Sequence, residues 1–305
     1  MMNTNTITSK TGFVAVMGRP NVGKSTLINA LLGQKIAAVS PRPQTTRKRQ
    51  MGILTIKSKD KYTQIIFVDT PGIHNPRHKL GERMNREAED TLEDSDVILL
   101  VVDVSQEPNE EDLLLFNLLA GLNRSIPVVL ALNKSDLANN EVFSINREAY
   151  LNGIPRATDI SISATRRENL DILLGEITSH LPNGLPFFPD DQLTDLYERE
   201  ITADLIREAA LTLLRDEIPH GIAIRIDQFT ERGEGGAYIE ATIFIERESH
   251  KPIVVGQGGS MIKKIGSAAR KEIEAMSGRK VYLRLNVKVR KNWRNDEKIL
   301  RRMGF

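Results

Sequence analysis

The 305-residue chain has no cysteine, one tryptophan and only 5% aromatic residues. The lack of cysteine excludes disulfides and thiolate metal sites, and it fits a reducing compartment. The five histidines (His74, His78, His180, His220 and His250) show no ligand spacing such as HExxH, so each reads as a surface or loop residue. Apolar runs are short. The longest, Val97 to Val102, is far below the ~20 residues that span a bilayer and reads as a buried strand. Met1 to Gly12 is polar without an apolar core, so no secretory signal is expected. These absences and the length lead to the expectation of a cytoplasmic protein of two domains.

A large net charge is also missing, but the small value of +2 hides an asymmetry. From His250 to Phe305 there are 15 Lys/Arg against 4 Asp/Glu, a balance of +11 that leaves −9 for residues 1–249. Such a block points to a polyanion-facing end, with a solvated basic face as the competing explanation.

What is present is more specific. Gly18-Arg19-Pro20-Asn21-Val22-Gly23-Lys24-Ser25, continuing into Thr26, follows the apolar run Phe13 to Met17 and opens a helical pattern. A strand, a GxxxxGK[ST] loop and a helix form a phosphate site, because the glycines let backbone N–H groups turn inward at a helix N-terminus. Lys24 can reach the β- and γ-phosphates, and the Ser25 hydroxyl can ligate Mg²⁺. Further on, Pro127 to Leu132 reads as a buried strand ending in Asn133-Lys134-Ser135-Asp136. Guanine offers an N1–H and an exocyclic amine side by side, and the Asp136 carboxylate can accept from both. Adenine lacks that donor pair and would leave the carboxylate unpaired. The Lys134 stem can lie across the base plane, and Asn133 can tie this loop to the phosphate loop.

Between the two, Ile65 to Val68 leads into Asp69-Thr70-Pro71-Gly72. Asp69 can hold Mg²⁺ through a water, and the Gly72 N–H can meet the γ-phosphate. Ala38 to Gln50 is polar and unpatterned, which suits a loop that closes over Mg²⁺ through a threonine. Thr46 is the preferred ligand and Thr45 the second. Ile160 to Thr165 ends a short strand, and the Ser163 and Ala164 backbone can contact the guanine O6.

Strands at Phe13–Met17, Met51–Lys57, Thr63–Asp69, Asp96–Val102, Pro127–Asn133 and Asp159–Ser163 alternate with helical segments. The pattern implies a mostly parallel sheet covered on both faces, with the motifs at the strand C-terminal ends. Leu181 to Pro186 then breaks it with Pro and Gly. The expected organisation is a nucleotide domain over 11–182, a linker over 183–193 and a second domain over 194–305. In that second domain an amphipathic helix and two alternating strands precede Gly256-Gln257-Gly258-Gly259, a helix bearing Lys263 and Lys264, and a last strand alternating Val281, Leu283 and Leu285 against Tyr282, Arg284 and Asn286. A GXXG turn in that order resembles a type II KH domain, which clamps about four single-stranded nucleotides. Gly256 to Gly259 with Lys263 and Lys264 are the candidate RNA contacts. Aromatics are few, so stacking is expected to be a minor term.

Taken together, GRPNVGKST, QTTR, DTPG, NKSD and SISA, with the second domain, resemble the Era family within the translation-factor-like branch of P-loop GTPases. The fold implied is an α/β P-loop GTPase domain with a mostly parallel sheet, followed by an α+β type II KH-like domain. The resemblance further implies GTP hydrolysis, a GTP/GDP switch with Mg²⁺, and binding near the 3′ end of small-subunit ribosomal RNA by a monomer during subunit assembly. Lys24, Thr46 and Gly72 are the candidate catalytic residues. Ras-like enzymes carry a glutamine after the DxxG glycine, where this chain has Ile73, so slow intrinsic turnover is expected. Asn21 resembles the asparagine with which related GTPases help to hold K⁺, and a turn-stabilising asparagine is the equal alternative. The runner-up function is a membrane-associated signalling GTPase whose basic domain meets anionic lipid. The Asn295–Phe305 tail, with Ile299, Leu300, Met303 and Phe305 beside Lys298, Arg301 and Arg302, keeps that reading open.

Overall fold

The computed structural model describes residues 8–39, 49–58, 61–71, 76, 78–122, 124–196, 198–215, 218, 221–232 and 236–302. The chain divides into two compact units, with the main division between Asp195 and Leu196.

The first unit is built on a six-stranded sheet in the order β2-β3-β1-β4-β5-β6. These strands are β1 Thr8–Met17, β2 Gln50–Lys57, β3 Lys61–Asp69, β4 Val97–Asp103, β5 Val128–Asn133 and β6 Thr158–Ser161. All pairings are parallel except β2 with β3. The central β4 is buried along its whole length, as the Val/Ile/Leu run Val97 to Val102 requires of a strand covered on both faces. Helices α1 Lys24–Leu32, α2 Lys79–Glu93, α3 Glu110–Ala120, α4 Asn140–Gly153 and α5 Leu170–His180 supply that cover. One face packs Met17, Leu100, Val102 and Leu132 against Leu92, Leu115, Phe116 and Tyr150. The helix α3 begins with a capping box, in which Asn109 accepts from the Asp112 N–H and Asp112 accepts from the Asn109 N–H.

The Pro/Gly-rich stretch after α5 is not a free tether. It pairs with the start of β1 through Thr11 N–H to Pro182 O (3.1 Å) and Gly184 N–H to Ser9 O (3.1 Å). It then crosses β3 over Gln64, a fully buried residue. The Gln64 Oε1 accepts from the Phe187 and Phe188 N–H groups at 2.8 and 3.0 Å, and its Nε2 donates to Phe188 O at 2.9 Å. The Phe187 ring packs on Phe13, and Phe188 joins the cluster of Ile53, Ile66 and Val68. Asp190 pairs with Lys57 and Tyr62. The stretch finishes along the outer edge of β2, where Ile53 N–H donates to Leu193 O (2.8 Å) and Met51 N–H to the Asp195 carboxylate (3.0 Å).

The second unit has a three-stranded sheet in the order β7-β8-β9, formed by β7 Ala223–Arg232, β8 Gly236–Ile245 and β9 Val281–Val289. The β7–β8 pair is antiparallel and β8–β9 is parallel. Helices α6 Glu198–Leu213, α7 Lys251–Val255 and α8 Ser260–Ser277 complete it, followed by the short α9 Glu297–Arg302. Period-two alternation puts Ile239, Ala241, Ile243 and Ile245 into a core with Leu205, Ile206, Ile265, Ala269 and Ile273. The opposite sheet face carries Tyr238, Glu240 and Thr242 in register with Tyr282, Arg284 and Asn286. Within the tail, Leu300 is fully buried, as is Trp293, whose indole N–H donates to Gly221 O at 2.9 Å.

Candidate nucleotide site and nucleic-acid groove

Parallel strands end together, so the loops after β1, β3 and β5 meet at one end of the sheet. Gly23 has φ +102°, and a β-carbon there would lie 2.4 Å from Asn133 Nδ2. The close approach has a purpose. Asn133, 2% exposed, donates from Nδ2 to Val22 O at 2.7 Å and accepts at Oδ1 from the Ala164 N–H at 3.0 Å. One carboxamide therefore holds the phosphate loop, its own strand end and the loop after β6 in fixed relation. The Ala164 N–H, read from sequence as a guanine O6 donor, is directed at Asn133, and the Ser163 N–H donates to Glu168 O at 3.4 Å.

Lys24 is buried, and its ammonium donates to Gly18 O (2.8 Å) and Arg19 O (3.0 Å). Burial pushes its pKa down to about 8, with the Asp69 carboxylate opposing the shift. A desolvated ammonium gains most from an anion brought beside it, which is the role a phosphate fills. The Ser25 hydroxyl donates to Asp69 Oδ2 at 3.2 Å, so a hydroxyl and a carboxylate converge beside that lysine. Such a pair suits Mg²⁺, which takes few protein ligands and completes its shell with water and phosphate oxygens. Among the described residues there is no cluster of three or more His, Cys, Asp or Glu that would hold a metal by itself. Thr70, next to Asp69, bonds back to Val16 O through its hydroxyl at 3.0 Å. Thr45, Thr46, Gly72 and Ile73 lie outside the described residues; Pro71 is buried.

The Arg19 side chain, although in the phosphate loop, turns away from the site. Its Nε pairs with Asp112 at 3.1 Å, and its guanidinium donates to Gln106 at 2.9 Å. Burial pushes the Asp112 carboxyl and the neighbouring Tyr150 hydroxyl upward in pKa. Asn21 and Lys134 both occupy left-handed backbone, at φ 65° and 62°. For a lysine that conformation carries strain, and the surroundings must hold it in place. Lys134 Nζ pairs with Asp103 Oδ2 at 2.6 Å, and Asp103 is itself held by the Ser105 hydroxyl at 2.5 Å. The Asp136 carboxylate, 10% exposed, has Arg166 at 3.5 Å. Asp103, Asp112 and Arg166 were not singled out from sequence. Asp103 nevertheless shares the signature of Asp69 and Asn133, a polar residue closing a buried strand.

In the second unit, Gly256 to Gly259 joins α7 to α8. The glycines divide by role. At Gly256 (φ +75°) a β-carbon would lie 2.6 Å from Met261 N, so packing demands glycine. Gly258 has no heavy atom within 4 Å of such a carbon and Gly259 only one, at 4.0 Å. These two leave room for a phosphate at the start of the 18-residue α8. Beside the loop runs a groove of about 370 Å³ between α8 and the edge strand β9. Lys263, Ser267 and Arg270 line one wall, Leu283 and Leu285 the floor, and Tyr282 and Arg284 the far lip. Lys263 faces the groove; Lys264 is exposed but does not line it. Stacking was expected to be a minor term; Tyr282, at the lip, stacks on Tyr238 with centroids 5.5 Å apart and planes 11° apart.

Two family profiles match the chain. One is described as a 50S ribosome-binding GTPase, over residues 13–134, and the other as a KH domain, over residues 217–294. The GTPase Era of Halothermothrix orenii is 46% identical over 298 residues, covering 97% of this chain and 98% of that protein. A crystal structure of Era with MgGDPNP and nucleotides 1506–1542 of 16S ribosomal RNA has a TM-score of 0.90 at 38% identity, covering 97% of this chain and 99% of that one. A variant of Aquifex aeolicus Era bound to GDP·AlF4⁻ matches with the same TM-score at 39% identity, covering 97% of this chain and 99% of its own.

Proposed function

We propose, for a chain that belongs to the Era family of GTPases, that it hydrolyses GTP in its first unit and clamps the 3′-terminal region of 16S ribosomal RNA with its second, as a switch in small-subunit assembly. The nucleotide reading rests on the Asn133 carboxamide, which locks the phosphate loop to the base loop. Asp136 reads the guanine, Lys134 covers it, and Lys24 offsets charge on the β- and γ-phosphates. Ser25 and Asp69 would hold Mg²⁺, the second directly or through water, with a threonine of the 40–48 segment, Thr46 before Thr45, as a further ligand. Bound there, Mg²⁺ would neutralise phosphate charge. A K⁺ beside Asn21 would compensate for Ile73, which cannot orient water.

The RNA reading rests on Gly258 and Gly259, open in front of a helix N-terminus and beside the basic groove. Each chain carries both sites, so a monomer suffices, acting in the cytoplasm where ribosomal subunits assemble. The lipid alternative is less favoured, because Leu300 of the tail is buried rather than presented outward. Among the described residues, no helix is long and apolar enough to cross a membrane. The double substitution Gly258→Asp with Gly259→Asp tests the assignment. At about 0.15 M salt it should abolish tight binding of RNA 1506–1542 and leave GTP affinity intact. Wild-type RNA affinity in a folded double variant would remove the clamp reading, and preferential sedimentation with anionic vesicles would favour the lipid alternative.

A further inference from the structure

We infer that Tyr282, backed by Tyr238, is a stacking shelf for one unpaired RNA base, continuing the strand path beyond the nucleotides clamped by the glycine loop. The inference rests on the RNA reading above and adds a subsite to it. Tyr238 and Tyr282 are register partners on β8 and β9, so both rings stand on the sheet face opposite the hydrophobic core. Their planes differ by only 11°, so one face of Tyr282 is covered by Tyr238. Since β9 is the edge strand among the described residues, the second face has no further described strand beside it and borders the groove that Tyr282 lines. Tyr282 is 62% exposed and lines that groove together with Lys263, Arg270 and Arg284.

A large aromatic that is neither packed into the core nor covered on both sides calls for an explanation. The cross-strand stack alone stabilises the sheet modestly. A nucleobase offers a third parallel ring, and stacking on an aromatic is tolerant of sequence because every base has a π-face. Tyr238 is steadied by its hydroxyl, which reaches Glu240 at 3.4 Å. Glu240 also accepts from Asn286 at 2.8 Å and lies 3.8 Å from Arg284. This acid offsets the nearest cation, so the shelf attracts by ring contact more than by charge. Phosphates meanwhile follow Lys263 and Arg270, which lie about one and about three turns along the same helix stripe from the glycine loop. An RNA strand held by its backbone on that side turns its bases toward β9, where the free face of Tyr282 waits.

The test uses the full chain and RNA 1506–1542, with binding followed by fluorescence anisotropy across a salt series. Tyr282→Ala should weaken binding about tenfold, as the loss of one stacked base predicts. Tyr282→Phe should stay within about twofold, since the ring remains. The slope of log affinity against log salt should be the same for wild type and both variants, because stacking releases no counterions. A scan of single abasic sites along the RNA supplies a readout free of any folding artefact. In wild type, one abasic site outside the clamped nucleotides should cost as much as Tyr282→Ala and should cost nothing further in that variant. Wild-type affinity in Tyr282→Ala, a Phe variant as weak as the Ala variant, or no sensitive site beyond the clamp would overturn the shelf. If the glycine double variant loses RNA while Tyr282→Ala does not, the shelf alone falls. Failure of wild type to bind would remove both readings.

Discussion

We predict that Asn133→Ala damages stability and nucleotide retention together, because one side chain serves both. Its two hydrogen bonds, 2.7 Å to Val22 O and 3.0 Å from the Ala164 N–H, lie in a site where the residue is 2% exposed. Each such bond contributes about 1 kcal/mol net, and each group left unpaired in a buried site adds a desolvation penalty. Alanine would orphan a carbonyl and an N–H at once, so a loss of about 3 kcal/mol is expected in urea denaturation of the apoprotein. The nucleotide effect is separate in kind. With the tie gone, the phosphate loop and the base loop move independently, and a ligand held by both should dissociate at least about tenfold faster. Stopped-flow release of a fluorescent guanine nucleotide measures that step. Asn133→Asp sharpens the test. It keeps an acceptor for Ala164 but sets a carboxylate oxygen against the Val22 carbonyl, so it should be no milder than alanine despite its shape. A change below about 0.5 kcal/mol in the alanine variant, with unaltered release, would refute the idea that this carboxamide joins the loops.

The other perturbations separate the parts of the site. Asp136→Asn should leave the denaturation midpoint nearly unchanged, weaken GTP by several kcal/mol and favour xanthosine triphosphate; calorimetry showing wild-type GTP affinity would disprove the guanine assignment. Isolated protein in Na⁺ buffer should turn over GTP at a rate on the order of 10⁻⁴ to 10⁻² per second. A rate above about 1 per second would reveal a complete catalytic set in the chain alone, and a lack of acceleration on replacing Na⁺ by K⁺ would return Asn21 to a turn-stabilising role. Gln64→Leu, of similar size, should leave the Phe187 and Phe188 N–H groups unpaired and release the 183–195 stretch. Faster amide exchange confined to that stretch and β2 is the expected result, and unchanged protection there would contradict it.

The parts of this molecule legible in sequence are those in which local pattern and chemistry coincide. The apolar run of β4, the glycines before Lys24 and the strand-ending Asn133 each announce themselves within a few residues. The pairings of Arg19 with Asp112 and of Lys134 with Asp103 do not, because their partners lie on different strands and helices and any exposed acid would look the same. The capping box that joins Asn109 to Asp112 is local, but nothing local says that the same carboxylate also takes an arginine from the phosphate loop. The 183–193 stretch was read by its Pro and Gly content, which marks an end of regular structure without revealing whether another surface satisfies its backbone. Gln64, a polar residue opening the apolar run Ile65 to Val68, was the available hint. The tyrosine pair escaped because a count of aromatics says nothing about two of them falling in register.

The course of residues 182–195 also bears on how exposed the first unit is to edge-to-edge aggregation. A strand at the rim of a sheet offers a row of unpaired amides to any passing chain, and β2 is such a rim. Met51 and Ile53 would present theirs outward, but Asp195 and Leu193 occupy them, and Thr194 bridges to Gly52. A fragment cut at Pro182, where the composition suggests the domain is finished, would therefore carry an uncapped rim and a bare Phe13–Ile66–Val68 face. It would retain every residue proposed for the nucleotide site and still be prone to self-association. Extending the fragment by the thirteen residues 183–195 would restore the seal without adding any part of the KH fold.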